Sequence, residues 1–411
     1  MTAQPKKVKV LVLGGGYAGL MAVSRLRQSR QPVDITLVDS KPYFEQRIRL
    51  HEVMAGKQVD RLDYRKVLNQ AGVTFIQARV VAIKAEEKQV LVDSKEGERS
   101  KPYDILVYAL GSSMNETAVP GVQEFAYCIN TYQQATALSE KLSAVDKVTV
   151  IGGGLSAIEI SSELAEAYPQ LTVQMVCRGK VAEDYLDEAR EYLMDRFRNL
   201  GVQVYEEQTV EEIQASCCRL GNGERLDHGL CIWAGGFTVS PLAMQSGLEV
   251  DDIGRVVTDP CLRAVSDNAI YAVGDAARIM GKHNKPHRMG CVTAMPHGAY
   301  VGESIKRRLA RRPIKPFRFR YVFRCLSLAR TGGLIQFTDE YDRPTKLFLS
   351  RFLGRRIKEW ICRMTFYSVK WELSTGLPLY MWLKGTASGL YESDGIPPRA
   401  NGVQSGTMEE V

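Results

Sequence analysis

The chain lacks any long uncharged apolar run, any CxxC cysteine pair and any histidine cluster. Over 411 residues no stretch approaches the ~18 uncharged apolar residues of a membrane span. Met1–Lys9 has no apolar core of the signal-peptide kind, and Thr2 removes a myristoylation signal. The nine cysteines are scattered, without a CxxC pair, and Cys217-Cys218 are adjacent, which suits neither a disulfide nor a metal. Of five histidines, His228, His283 and His287 show no spacing for a metal or a triad. No metal is therefore expected, and the reading is a cytoplasmic, reducing compartment. Low complexity is confined to the polar tail Ser393–Val411. The composition, 45% hydrophobic and 25% charged, is that of a globular protein long enough for two or three domains.

Acidic residues are scarce towards the C-terminal end. Between Lys306 and Lys370 stand eighteen Lys/Arg against four acids, within a whole-chain net charge of +7. The remainder is therefore mildly acidic.

Glycine is concentrated where it carries information. Gly14-Gly15-Gly16-Tyr17-Ala18-Gly19 follows the apolar run Val8–Leu13 and opens a helical pattern; Gly152-Gly153-Gly154-Leu155-Ser156-Ala157 follows Val148–Ile151 and does the same. In strand–turn–helix context such glycines let backbone N–H groups and a helix N-terminus approach a pyrophosphate. Two of them predict two dinucleotides held face to face, a flavin and a nicotinamide. Twenty residues beyond Gly19 stands Asp39, followed by Ser40; a carboxylate there accepts from a ribose diol and repels a 2′-phosphate, which suits FAD. The equivalent position after the second motif is Cys177, followed by Arg178. With the acid missing and a guanidinium beside it, NADPH is favoured, with NADH as the alternative.

Strand and helix signals alternate as in a parallel α/β protein. Residues 1–115 and 250–312 are expected to form a discontinuous FAD-binding domain, 116–249 an NAD(P)H-binding domain, and 313–411 a C-terminal α+β domain with a basic amphipathic segment and the polar tail. Within the first unit a helix is expected near Tyr64–Gln70 and a β meander from Thr74–Ile83 and Gln89–Val92. Buried strands end at Ala109-Leu110-Gly111, at Trp233-Ala234-Gly235 and at Gly274-Asp275. A further helix is predicted from Pro296, with the proline in its first turn.

The two glycine motifs, Asp39, the strand Tyr103–Gly111 and Tyr271-Ala272-Val273-Gly274-Asp275 occur in the order of two-dinucleotide-binding-domain flavoproteins. The chain resembles type II NADH dehydrogenases and apoptosis-inducing-factor-like ferroptosis suppressor proteins, which are FAD-dependent NAD(P)H:quinone oxidoreductases. Phe323–Gln336 looks like the C-terminal domain of the suppressor type. The resemblance implies that Asp275 bonds the ribityl chain of FAD and that Glu159 lies beside the nicotinamide. It also implies that the segment containing Arg47 and His51 runs past the flavin. The helix beginning at Pro296 and His297 would then stabilise the charge of reduced flavin through its N-terminus. Three departures stand out. The usual ATG is Ala109-Leu110-Gly111, a glutamine pair near the flavin is replaced by Ala294-Met295-Pro296-His297, and Lys41–Gly56 has no cysteine pair for a thiol relay.

His51 and His297 are the candidates to protonate an acceptor, since imidazole titrates near neutrality. The alternation Phe317–Arg324 would, as a strand, put four aromatics on one face and three arginines on the other. Those aromatics are either core or the lining of a flat acceptor's site. In residues 351–370 Leu353, Ile357, Trp360, Ile361 and Met364 fall at helical spacing, flanked by Arg355, Arg356, Lys358 and Arg363. This stripe either contacts a membrane surface peripherally or packs on the flavin unit or a dimer partner. Together these features predict electron flow from NAD(P)H through FAD to a quinone-like acceptor. The alternatives are a soluble biosynthetic flavoenzyme and a redox-gated binding protein; nucleic acid is not an expected partner of the leading reading.

Overall fold

Continuous apolar strands are stable only when both faces of their sheet are covered, and two such sheets organise the chain. The computed structural model describes residues 7–281 and 285–385. His283 and the tail Ser393–Val411 lie outside the described residues. The first sheet has six strands in the order 263–264, 267–272, 105–108, 8–13, 33–39, 74–77. All its pairings are parallel except that of the 263–264 edge. The second has five parallel strands in the order 126–128, 230–233, 147–151, 172–176, 203–205. Strand 267–272 returns to pair with 105–108, so the second sheet is an insertion in the first unit.

The expected strand Thr74–Ile83 is two strands. Thr74–Gln77 extends the parallel sheet beside 36–39, whereas Arg79–Lys84 begins an antiparallel meander with Gln89–Ser94 and Gly97–Pro102. The chain changes partners at Ala78, whose N–H donates to the Asp39 carbonyl. The helix expected from Pro296 begins five residues earlier and runs Cys291–Leu309, leaving the proline inside it. Apolar periodicity already starts at Val292, and a proline pattern alone could not outvote the Gly290 that precedes the helix.

A C-terminal antiparallel sheet, 323–328, 332–338 and 344–349, leads into the helix Arg351–Thr375. Only Phe323 and Arg324 of the alternating segment join that sheet; Phe317–Val322 lies before it. Arg318 and Arg320 face solvent as expected, but Arg324 turns inward to Asp342 at 3.1 Å. The long helix buries Cys362, Phe366, Val369 and Leu373. It is fixed to the first glycine-motif helix, Tyr17–Leu26, by Arg25, whose Nε lies 2.7 Å from fully buried Glu372.

Candidate active site

The first glycine turn is shaped by a close backbone approach. Gly14 has φ +97°, and a Cβ there would stand 2.3 Å from the Ala109 carbonyl oxygen. Gly16 precedes the helix Tyr17–Leu26, whose first-turn amides carry no side-chain cap, and a Cβ on Gly16 would meet nothing within 4 Å. That is the form of a phosphate cradle. The Asp39 carboxylate accepts from the Gly15 N–H at 2.6 Å and the Lys41 N–H at 2.8 Å, which locks it beside the turn. Burial pushes its pKa up against the pull of those amides. Asp275 accepts from Ser112 Oγ at 2.7 Å and from the Gly290 N–H at 2.8 Å. Arg47 in turn donates to the Ser112 carbonyl at 2.6 Å. Ser112 and Gly290 had no signal in the sequence, yet they orient the aspartate at the mouth of the sheet. The uncapped N-terminus that faces this corner is that of Cys291 and its neighbours, not Pro296. Uncapped amides, an anchored ribose acid and an anchored Asp275 together fit FAD.

The second turn repeats the design. Gly152 has φ +140°, and a Cβ there would lie 2.5 Å from the Ala234 carbonyl oxygen. Gly154 precedes the uncapped helix Leu155–Ala167 and again has open space before it. Cys177 is buried below this turn and donates to the Gly179 carbonyl at 3.0 Å; burial pushes its thiol up to about 11. Its part is therefore the absence of a carboxylate rather than a contact of its own. Arg178 is exposed. An opposing acid also stands nearby: Glu183 Oε2 is 3.1 Å from where a Cβ on Gly179 would be. A carboxylate at that corner opposes the attraction that Arg178 would offer a 2′-phosphate. Gly235, at the end of strand 230–233, lies over the Trp233 ring, 2.4 Å from it if it bore a Cβ.

Glu159 and His51, far apart in sequence, meet between the units. One Glu159 oxygen accepts from the Ser327 N–H at 3.0 Å and from Lys358 Nζ at 2.9 Å; the other lies 3.7 Å from His51 Nδ1. Burial alone would raise the Glu159 carboxyl, but Lys358, His51 and the Ser327 amide hold it below its ordinary value. Lys358 is thus an inward-facing partner of Glu159 and not one of the cations flanking an exposed stripe. Further along the same helix Ser162 accepts from the Ala329 N–H and Glu166 from the Arg330 N–H. The nicotinamide-unit helix in this way satisfies amides of the C-terminal sheet, which gives Glu159 a docking role that sequence spacing did not reveal.

Residues 8–298 match the pyridine nucleotide-disulphide oxidoreductase family. The chain belongs to that family. An NADH dehydrogenase-like protein of Mycobacterium tuberculosis is 30% identical over 82% of this chain and 88% of its own length. A type II NADH:quinone oxidoreductase of Staphylococcus haemolyticus is 32% identical over 74% of this chain and 83% of its own. The solved structure of NDH2 from Plasmodium falciparum in complex with NADH has a TM-score of 0.76 over 90% of this chain and 96% of that one, at 15% identity. That last likeness shows the fold.

In this oxidoreductase His297 is not beside His51 but paired with His287, a residue given no role by spacing. His287 Nδ1 and His297 Nε2 are 2.9 Å apart, with rings stacked at 5.2 Å, and Phe317 lies 5.1 Å from His297. Phe319 and Tyr321 close the cluster around His287. Burial lowers His287 to about 4 and holds His297 well below its ordinary value, so both are neutral at pH 7. A neutral buried pair makes folding acid-sensitive. Below the ordinary histidine value, about 6.5, the unfolded chain takes up protons that the folded chain refuses. Stability is therefore full above that pH and falls on acidification towards pH 4, by about 1.4 kcal/mol per pH unit for each such histidine. Urea midpoints of wild type and His287→Gln from pH 7.5 to 4.5 should diverge below pH 6.5, with the wild type losing stability faster; parallel curves would show that the pair is not neutral in the folded protein.

Beside this pair lies a cavity of about 480 Å³, lined by Tyr185, His287, Arg288, Phe319, Tyr321 and Arg324 among others. It is bounded by residues 183–185, which precede the helix Asp187–Leu200, and by the C-terminal sheet, and Arg288 is two residues from the Gly290 that anchors Asp275.

Proposed function

We propose that this oxidoreductase carries electrons from NAD(P)H through FAD to a quinone-like organic acceptor, without a thiol relay. The supporting observation is the pair of uncapped glycine turns at the ends of two parallel sheets, with Asp39 and Asp275 anchored at the first. The return of strand 267–272 to pair with 105–108 supports a division into a flavin unit (1–115 and 250–312), an inserted nicotinamide unit (116–249) and a C-terminal unit (313–411). FAD held by the Gly14–Gly16 turn, Asp39 and Asp275 would supply two-electron transfer between the nicotinamide and the acceptor. The chain's own residues would hold the dinucleotides at the two glycine turns. Cys291 and Cys362 are kept protonated by burial, the first pushed up to about 12 and the second to about 11, and a protonated thiol is a poor redox nucleophile. The cavity by His287 is of a size for a small organic acceptor, within the roughly 300–1,000 Å³ of such sites. The relatives whose names specify NADH and quinone support the reading.

Anaerobic mixing with NADH or NADPH, followed by a short-chain quinone, tests it directly. The flavin should bleach without a thiolate charge-transfer band and recover on addition of quinone. A band at long wavelength, or recovery only with added dithiol, would contradict the direct path. Full bleaching with no response to any quinone would move the assignment to a biosynthetic flavoenzyme. NADH and NADPH should differ in kcat/KM by less than about tenfold, or ~1.4 kcal/mol. Arg178→Ala should shift the ratio towards NADH and Glu183→Gln towards NADPH; a native preference above a hundredfold either way would exclude shared use.

The exposed face of the C-terminal helix supports a peripheral membrane contact. No helix among the described residues is long and apolar enough to cross a membrane. Phe352, Leu353, Trp360, Tyr367 and Trp371 are nevertheless exposed, Trp360 by 62%, next to exposed Arg355, Arg356, Arg363 and Lys370. Apolar rings between cations fit an anionic bilayer surface, at about 1 kcal/mol per basic residue near the lipid. The protein should float with anionic liposomes at low salt, release at high salt, and lose binding on Trp360→Glu. Failure to float together with a concentration-dependent dimer would assign the face to a second copy.

A further inference from the structure

Cys218, His228 and Cys231 are separated by an irregular C-x9-H-x2-C spacing, which is why the sequence suggested no metal. The fold brings them together. Cys218 lies on strand 217–220 of a small antiparallel sheet, Cys231 on strand 230–233 of the five-stranded sheet, and His228 on the link from strand 225–227 to strand 230–233. Their ligand atoms all lie within 4.8 Å of one another. Both cysteines are fully buried and His228 is 6% exposed. Neither ring nitrogen of His228 has a well-formed hydrogen bond in the described structure. A buried imidazole left in this condition is unfavourable.

We propose that these three side chains bind one zinc ion, a site separate from the dinucleotide chemistry. Tetrahedral zinc with Zn–S near 2.3 Å and Zn–N near 2.0–2.1 Å holds ligand atoms roughly 3.5–3.8 Å apart, within reach of this cluster by rotamer changes alone. Two thiols lose their protons to solvent, the imidazole binds neutral, and Zn²⁺ with two thiolates carries no net charge, which is what an apolar core tolerates. The surrounding core includes Ile213, Leu220, Leu226 and Trp233. A Cys218–Cys231 disulfide would use the same sulfurs but leave the histidine unsatisfied. The ion would clamp the small sheet to the strand that ends in Trp233-Ala234-Gly235, against which the Gly152 turn is built.

Full-length protein expressed with added zinc should carry about one zinc per chain by elemental analysis, and its native mass should exceed the apo mass by one zinc less two protons. His228→Ala and Cys231→Ser should lower zinc at least tenfold, whereas Cys217→Ser should keep it. Cobalt exchanged into the wild type should give d–d bands of tetrahedral thiolate coordination, to the red of the flavin. Zinc-free wild type after incubation with zinc, or a metal-free native mass lighter by two hydrogens, would overturn the proposal. Both readings are made on wild type and stand even where a variant does not fold.

Discussion

Purified Asp275→Ala should be colourless or nearly so, whereas the wild type is yellow. The carboxylate is held by Ser112 Oγ and the Gly290 N–H at 2.7 and 2.8 Å, so its position at the end of strand 267–272 is fixed before FAD arrives. A hydrogen bond to a charged group contributes about 1.5–3 kcal/mol, and its loss corresponds to roughly ten- to a hundredfold weaker FAD binding per bond. Removing the acid also leaves the Gly290 N–H unpaired at the entrance of the helix Cys291–Leu309, which adds to the loss. The measurement is the flavin-to-protein absorbance ratio, then FAD titration of the apoprotein. Ser112→Ala should fall between the two, since it frees the carboxylate without deleting it. An Asp275→Ala protein that retains FAD with wild-type affinity would refute this assignment.

Gly152→Val should keep its flavin and lose reduction by either nicotinamide nucleotide more than a hundredfold. Valine at φ +140° is strained by about 1–3 kcal/mol, and its Cβ would overlap the Ala234 carbonyl oxygen at 2.5 Å. The turn must open, and opening it displaces the amides of the helix Leu155–Ala167 from the pyrophosphate. The first sheet is untouched, so FAD content and reduction by dithionite should stay at wild-type levels. Anaerobic stopped-flow separates the two steps. Flavin reduction by NADH within tenfold of wild type would show that the nicotinamide binds elsewhere.

Local pattern was a good guide where one short segment does the whole task. Both glycine turns, the two parallel sheets and the helix Tyr64–Gln70 could be read because strand, turn and helix follow within a few residues. The pattern was a poor guide where partners are remote. The proline pattern places His297 in the first turn of a helix, whereas it lies inside that helix against His287. Lys358 was read as a surface cation by its helical spacing, whereas it pairs with Glu159 nearly two hundred positions earlier. Arg324 belonged to an alternating face and instead turns to Asp342.

The sequence by itself determined the two dinucleotide turns and the acid that distinguishes the first from the second, because strand polarity, glycine torsions and helix N-termini are local properties. Only the tertiary structure decided which charges are buried and what they face. It joined Glu159 to Lys358 and His51, paired two histidines, and gathered Cys218, His228 and Cys231 into one core. Ionisation and ligation depend on desolvation and on neighbours a few ångströms away in space, and sequence separation does not encode that distance.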